Sequence, residues 1–173
     1  NNPLELGEMA SFIVLCETLN ADGTPHESNT RDKLLDAIEE YDPKKKIVFG
    51  VEQEYTILDD QNLPVGWNKD KTQGTNYCGI GSNNTTNRLL VEQHAVACIQ
   101  ANIQIAGTNA EVLMSQWEYQ LEPSNAIDQA DDLWMSRYIL QRLSENSKGY
   151  ISFHPKPVEG DWNGAGAHIN FST

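Results

Sequence analysis

The chain has 173 residues, with 25 acidic against 12 basic side chains and a net charge of −13. Nucleic acids and anionic membrane surfaces both call for clustered Lys and Arg, so this balance argues against either partner. No run of about eighteen apolar residues is present, so no helical membrane span is expected.

Cys16, Cys78 and Cys98 are odd in number and lack CxxC spacing. They fit reduced thiols better than a disulfide framework, which points to a cytoplasmic location. In chain order, Phe12-Ile13-Val14-Leu15-Cys16 reads as a short buried strand closing a first unit. Residues 20–28, rich in Gly, Pro and Asn, read as a linker. The expected division is therefore 1–28, the end of one domain with its linker, and 29–173, the larger part of a second. Asn29 or Thr30 can cap a helix carrying Leu34, Leu35, Ile38 and Tyr41 on one stripe and halting at Asp42-Pro43. A strand with Glu52 and Glu54 follows, then a polar loop over 59–76. The spacing predicts a helix over 86–101, with Leu90, Val91, His94, Ala97, Cys98 and Ala101 on its inner face. His94 reads as a packing histidine. Strands with Glu111 and Glu118 come next. A helix over 127–146 turns Ile127, Ala130, Leu133, Trp134 and Leu140 inward, with Trp134 in the core. A strand over 150–153 leads through Pro155 and Pro157 into a glycine-rich loop and a last strand bearing His168. Helices alternating with hairpin-forming strands suggest an α+β fold, with a curved, mostly antiparallel sheet around a polar site.

The polar residues of these strands share a pattern. Side chains alternate across a strand, so Glu52 and Glu54 point to one face. Gln116, Glu118 and Gln120 lie on one face of the next such segment, with Trp117, Tyr119 and Leu121 opposite. His168, Asn170 and Ser172 share a face of the last, with Ile169 and Phe171 behind. Glu111 sits seven residues before Glu118, which suits a strand, a bend and a return strand. Like charges that close repel unless water or a cation intervenes. Four carboxylates with a single imidazole favour a hard divalent cation, magnesium or manganese, over zinc.

Several stretches together carry a resemblance. They are Glu52-Gln53-Glu54-Tyr55-Thr56, Gly107-Thr108-Asn109-Ala110-Glu111-Val112, Gln116-Trp117-Glu118-Tyr119-Gln120, and Gly160-Asp161-Trp162-Asn163-Gly164-Ala165-Gly166-Ala167-His168. In order and spacing they resemble eukaryotic-type (type II) glutamine synthetase, from about residue 15 to Thr173. Tyr77-Cys78-Gly79-Ile80-Gly81, Glu92 with His94, and Leu133-Trp134 followed by Arg137-Tyr138-Ile139-Leu140 add to it. Two departures stand out. Thr72-Gln73-Gly74-Thr75-Asn76 lacks the prolines and second aromatic that the family carries before Tyr77. Glu122 replaces a usual glycine and puts a charge near the nucleotide side. The resemblance also implies a fragment, without most of a β-grasp-like N-terminal domain and without the later part of the catalytic domain.

The resemblance implies ATP-dependent amidation of L-glutamate by ammonia through γ-glutamyl phosphate. Glu54, Glu111 and Glu118 would hold the metal near glutamate; Glu52 and His168 would hold the metal near the ATP phosphates. Glu54, Glu111 and His168 are the expected catalytic positions. Asp161, Trp162, Asn163 and Gly164 would line the glutamate pocket, and Glu118, Gln120, Asn170, Phe171 and Ser172 the nucleotide site. Homo-oligomers built as stacked pentameric rings are implied as well. The rival readings are a non-catalytic homologue with a structural or metal-binding role, and another carboxylate–amine ligase of the same fold.

Overall fold

The computed structural model describes residues 12–41, 46–68, 70 and 72–173. Its centre is the long strand β1 (Val48–Leu58), preceded by helix α1 (Thr30–Glu39). Helix α2 (Arg88–Gln100) leads into the hairpin of β2 (Ile105–Ala110) and β3 (Gln116–Leu121). Helix α3 (Ala126–Ser144), β4 (Tyr150–Ser152) and β5 (Ala167–Ser172) complete the order. The sheet runs β2-β3-β1, and the far edge of β1 is shared end to end by β4 and β5. All these pairings are antiparallel. The expected α+β architecture is what forms.

β1 is central because both of its edges are paired, by β3 on one side and by β4 and β5 on the other. Val51, Tyr55 and Ile57 join Trp117, Tyr119 and Leu121 of β3 in one apolar face. Helices α2 and α3 cover that face with Leu90, Val91, Ala97, Cys98, Ile139, Leu140 and Leu143. Asn125 caps α3 by accepting from Asp128 N at 3.0 Å, and Asn29 caps α1 by accepting from Asp32 N. His94 is a core residue, as its helical position suggested. It is fully enclosed, with Nε2 3.0 Å from the Ser136 carbonyl and its ring edge-on to Tyr119 at 4.9 Å. Burial pushes its pKa down to about 4, because a charged imidazole cannot be solvated there.

Three expectations need correcting. Phe12 to Cys16 do not form a buried strand; among the described residues no strand pairs with them, and Phe12 is 86% exposed. A strand is stable only with neighbours for its backbone groups, and an apolar run alone does not supply them. Trp134 is not core but 62% exposed, with Arg137 over its ring at 5.2 Å. The buried residues of α3 are Gln129, Ser136, Ile139, Leu140, Leu143 and Ser144; Leu140 is inward as expected and Leu133 packs against the core, but the stripe is centred away from Trp134. Its mixed polar and apolar residues leave the stripe poorly defined in sequence. Ala101, expected on the inner face of α2, is exposed at the helix end. α1 buries none of its residues fully, and Leu35 and Ile38 are exposed. The Asp42-Pro43 stop lies outside the described residues.

Candidate active site

The face of the sheet opposite the helices carries two polar rungs. In the first, Asn109 of β2 lies opposite Glu118 of β3, which lies opposite Glu54 of β1. In the next, Gly107 lies opposite Gln120, Gln120 opposite Glu52, and Glu52 opposite His168 of β5. The two-residue period of each strand brings these side chains to one surface. Gly107 leaves room for the Gln120 amide, since a Cβ there would sit 2.9 Å from Gln120 Oε1 and the amide would have to shift.

Glu111 enters at the end of β2, where its N–H donates to the Gln116 carbonyl at 2.9 Å. Glu54, Glu111 and Glu118 thereby bring one carboxylate oxygen each to within 4.8 Å of one another, and all three side chains are buried. Burial raises the pKa of Glu54, a rise reinforced by the Glu118 and Glu52 charges and opposed by the Gly166 N–H and by His168. Burial likewise raises Glu118, with Glu111 adding to the rise while the Gln120 amide opposes it. Each carboxylate is also aimed. Gly166 N donates to Glu54 Oε2 at 2.7 Å. Asn109 Nδ2 and Val112 N donate to the two oxygens of Glu111 at 3.1 Å each. The Gln120 amide donates to Glu118 Oε1. Three converging oxygens held in this way suit a divalent cation that prefers oxygen ligands.

The carboxylates open into a cavity of about 930 Å³. Its walls include Tyr77, Cys78, Pro155, Asn163, Gly164, Gly166 and His168. Gly164 lies against Pro155, whose carbonyl a Cβ would approach to 2.7 Å, so only glycine fits. Gln116 Nε2 donates to the Gly164 carbonyl at 2.7 Å, and Asn163 Nδ2 donates to Gln116 Oε1 at 3.2 Å. The altered loop before Tyr77 still docks on this wall: Gln73 Oε1 accepts from Asn163 N, and Gly74 N donates to the Val112 carbonyl at 3.3 Å.

A second cavity of about 350 Å³ lies beside the first. Phe49, Pro123, Asn170, Phe171 and Ser172 line it, and Glu52 and Gln120 belong to both. Asn170 Nδ2 donates to Glu52 Oε1 at 2.5 Å.

The profile of the glutamine synthetase catalytic domain matches residues 27–173. The chain belongs to the glutamine synthetase family. It is 49% identical to a glutamine synthetase of Yarrowia lipolytica over 178 aligned residues, 99% of this chain and 47% of that protein. It is 51% identical to the mitochondrial glutamine synthetase 1 of Drosophila melanogaster, over 93% of this chain and 41% of that protein. The chain thus spans about half the length of the curated relatives it matches. The fold resembles that of the Plasmodium falciparum glutamine synthetase, with a TM-score of 0.74 at 20% identity over 88% of this chain and 35% of that one.

Within this chain, Glu52, Glu54, Glu111, Glu118, Gln120, Asn163, Gly164 and His168 share the large cavity. Asn170, Phe171 and Ser172 share the small one with Gln120, whereas Glu118 faces only the large one. Asp161 and Trp162 are not among the cavity walls. Asp161 is exposed, and Trp162 packs edge-on against Trp67 at 4.7 Å. The sequence reading assigned no role to Asn109 and Gln116. Gln116 had a usable signal, since it shares the alternating face with Glu118. Asn109 had none without the register that places it opposite Glu118.

Proposed function

We propose that the protein catalyses ATP-dependent amidation of L-glutamate by ammonia, through γ-glutamyl phosphate, as part of a longer enzyme. The observation that carries this reading is the buried Glu54–Glu111–Glu118 cluster facing the Asn163–Gly164 wall in one cavity. The donor set fits magnesium or manganese, because three converging carboxylates whose like charges repel gain most from a hard cation between them. Glu54, Glu111 and Glu118 would hold the ion beside glutamate, and Glu52 with His168 the ion beside the ATP phosphates. A bound divalent cation supplies the positive charge that lets an anionic carboxylate approach a polyanion in line.

The remaining work falls to the chain's own groups. Asn163 offers its amide and Gly164 a close backbone approach to a small polar substrate. Asp161 and Trp162 flank that wall in sequence and would act on the glutamate pocket from outside its lining, with Trp162 packed on Trp67. Gln120, Asn170, Phe171 and Ser172 form the nucleotide side, with Glu118 at the boundary. His168 stands opposite Glu52 and lines the large cavity. A homo-oligomer with ring-stacked subunits, a domain division near residue 28 and a cytoplasmic location belong to the same proposal. Among the described residues no helix is long and apolar enough to cross a membrane.

A coupled phosphate-release assay tests the reaction. Release is expected only with glutamate, ammonia, ATP and magnesium or manganese together. Release that ignores omission of glutamate or ammonia would point to a different ligase or a plain ATPase.

A further inference from the structure

Gln53 lies between the two first-rung and second-rung glutamates of β1, yet its side chain points the other way, into the helix-covered face, where it is 2% exposed. Its Oε1 accepts from Arg137 Nε at 2.8 Å and from a terminal Arg137 nitrogen. Its Nε2 donates to the Glu54 carbonyl at 2.6 Å and to the Gly166 carbonyl at 3.2 Å. Gly166 is therefore held at both polar atoms. Its carbonyl also accepts from Glu54 N at 2.9 Å, while its N–H donates to Glu54 Oε2 at 2.7 Å.

Arg137 itself is held by two rings. Its guanidinium lies over Trp134 at 5.2 Å and over Phe153 at 5.4 Å, and among the described residues it makes no ion pair. A planar fork between two rings loses little freedom when it donates twice to one amide oxygen. Arg137 is half-buried, and its acceptor is the buried Gln53 amide rather than a surface carboxylate. The contacts form one series, from helix α3 through the sheet to a cluster carboxylate.

We propose that Arg137 and Gln53 are positioning residues for the Glu54–Glu111–Glu118 site. Arg137 fixes the Gln53 amide, Gln53 fixes Gly166, and the Gly166 N–H fixes which way the Glu54 carboxylate faces. The inference rests on the reading of that cluster as a cation site. It assigns the orientation of Glu54 to a helix that reaches the site only through the back of the sheet. Groups that orient a ligand in this way alter metal affinity by about ten- to a hundredfold when lost.

The test is titration of the purified protein with manganese alone, following free ion by electron paramagnetic resonance, with thermal melts in parallel. Gln53→Glu keeps an acceptor for Arg137 but cannot donate to the Gly166 carbonyl. Arg137→Met keeps apolar length between the rings but cannot donate to Gln53. Each is expected to weaken manganese binding about tenfold. Because the contacts act in series, the double variant should bind no more weakly than the weaker single variant. Unchanged manganese affinity, even with a lower melting temperature, would overturn the proposal, as would losses that multiply. If Arg137→Met does not fold, Arg137→Lys, which keeps one donor, carries the same cycle. Wild-type protein that binds no manganese would overturn the cation reading and this inference with it, a result distinct from intact binding in the variants.

Discussion

The two faces of the β1–β3 pair do different work with the same backbone. On one, Tyr55, Trp117 and Tyr119 interlock with α2 and α3 as an apolar core. On the other, Glu54 and Glu118 stand opposite each other and, with Glu111, crowd their charge into a cavity wall. Adjacent residues thus belong to different problems. Trp117 contributes to stability, while Glu118 has its ionisation opposed by its surroundings. The core face supplies the rigidity that keeps like charges close on the cavity face, where alone they would drift apart.

The sharpest way to break this contrast is a pair of neighbouring substitutions. Trp117→Ala removes a ring that is 1% exposed, together with its Nε1 donation to the Thr86 carbonyl at 3.0 Å. It should cost about 3–5 kcal/mol. Glu118→Ala should abolish turnover of the intact enzyme yet leave the metal-free melting temperature level or higher, since burial and Glu111 already oppose its charge. Equal melting losses in denaturation of both variants would contradict the division of faces.

A smaller effect is expected at the cavity wall. Gly164→Ala would press a Cβ to 2.7 Å from the Pro155 carbonyl. The clash should cost about 1–3 kcal/mol and raise the KM for glutamate if that wall seats the substrate. Chemical denaturation paired with kinetics measures both.

Acidity probes the cavity face by itself. Glu54 and Glu118 have pKa values raised by burial in the fold. Their contribution to stability is thus full below the unfolded carboxylate range and is lost as pH rises through the folded values. His94 works in the opposite sense: its folded value near 4 means stability is lost as pH falls below the unfolded imidazole range towards that value. Manganese binding requires ionised carboxylates, so the melting-temperature gain from the metal should grow as pH rises through the raised carboxylate range. Because His94 is present with and without metal, it drops out of that difference. A gain independent of pH would argue against carboxylate ligands. The smallest effect belongs to Trp134→Ala, whose exposed ring should cost no more than about 1 kcal/mol.

That last residue shows where sequence reading stops. In β1 and β3 the alternation of Glu52, Glu54 and Glu118 with Tyr55, Trp117 and Tyr119 is strict, so the faces were legible before any coordinates. Helix α3 mixes Gln129 and Ser136 into its buried stripe, so periodicity placed Leu133 and Leu140 inward correctly but also drew Trp134 into the core, where it is not. Asn163 and Gly164, singled out through the resemblance rather than the glycines alone, are among the cavity walls. Asp161 and Trp162, next to them, are not among those walls, and local sequence does not say which residues of a loop will line a cavity. The link from Arg137 to Gln53 joins residues 84 positions apart and needed the fold. Phe12 to Cys16 looked like a strand because hydrophobicity does not reveal whether a pairing partner exists.

The central claim is that Glu54, Glu111 and Glu118 together hold one divalent cation. Manganese titration of the wild-type protein beside Glu111→Gln tests it most directly, because the substitution keeps the shape and removes one charge from the cluster. One stronger site should appear in the wild type and weaken by at least about tenfold in the variant, with any site at Glu52 and His168 little changed. A stronger site indifferent to Glu111→Gln, or two equal tight sites, would contradict it.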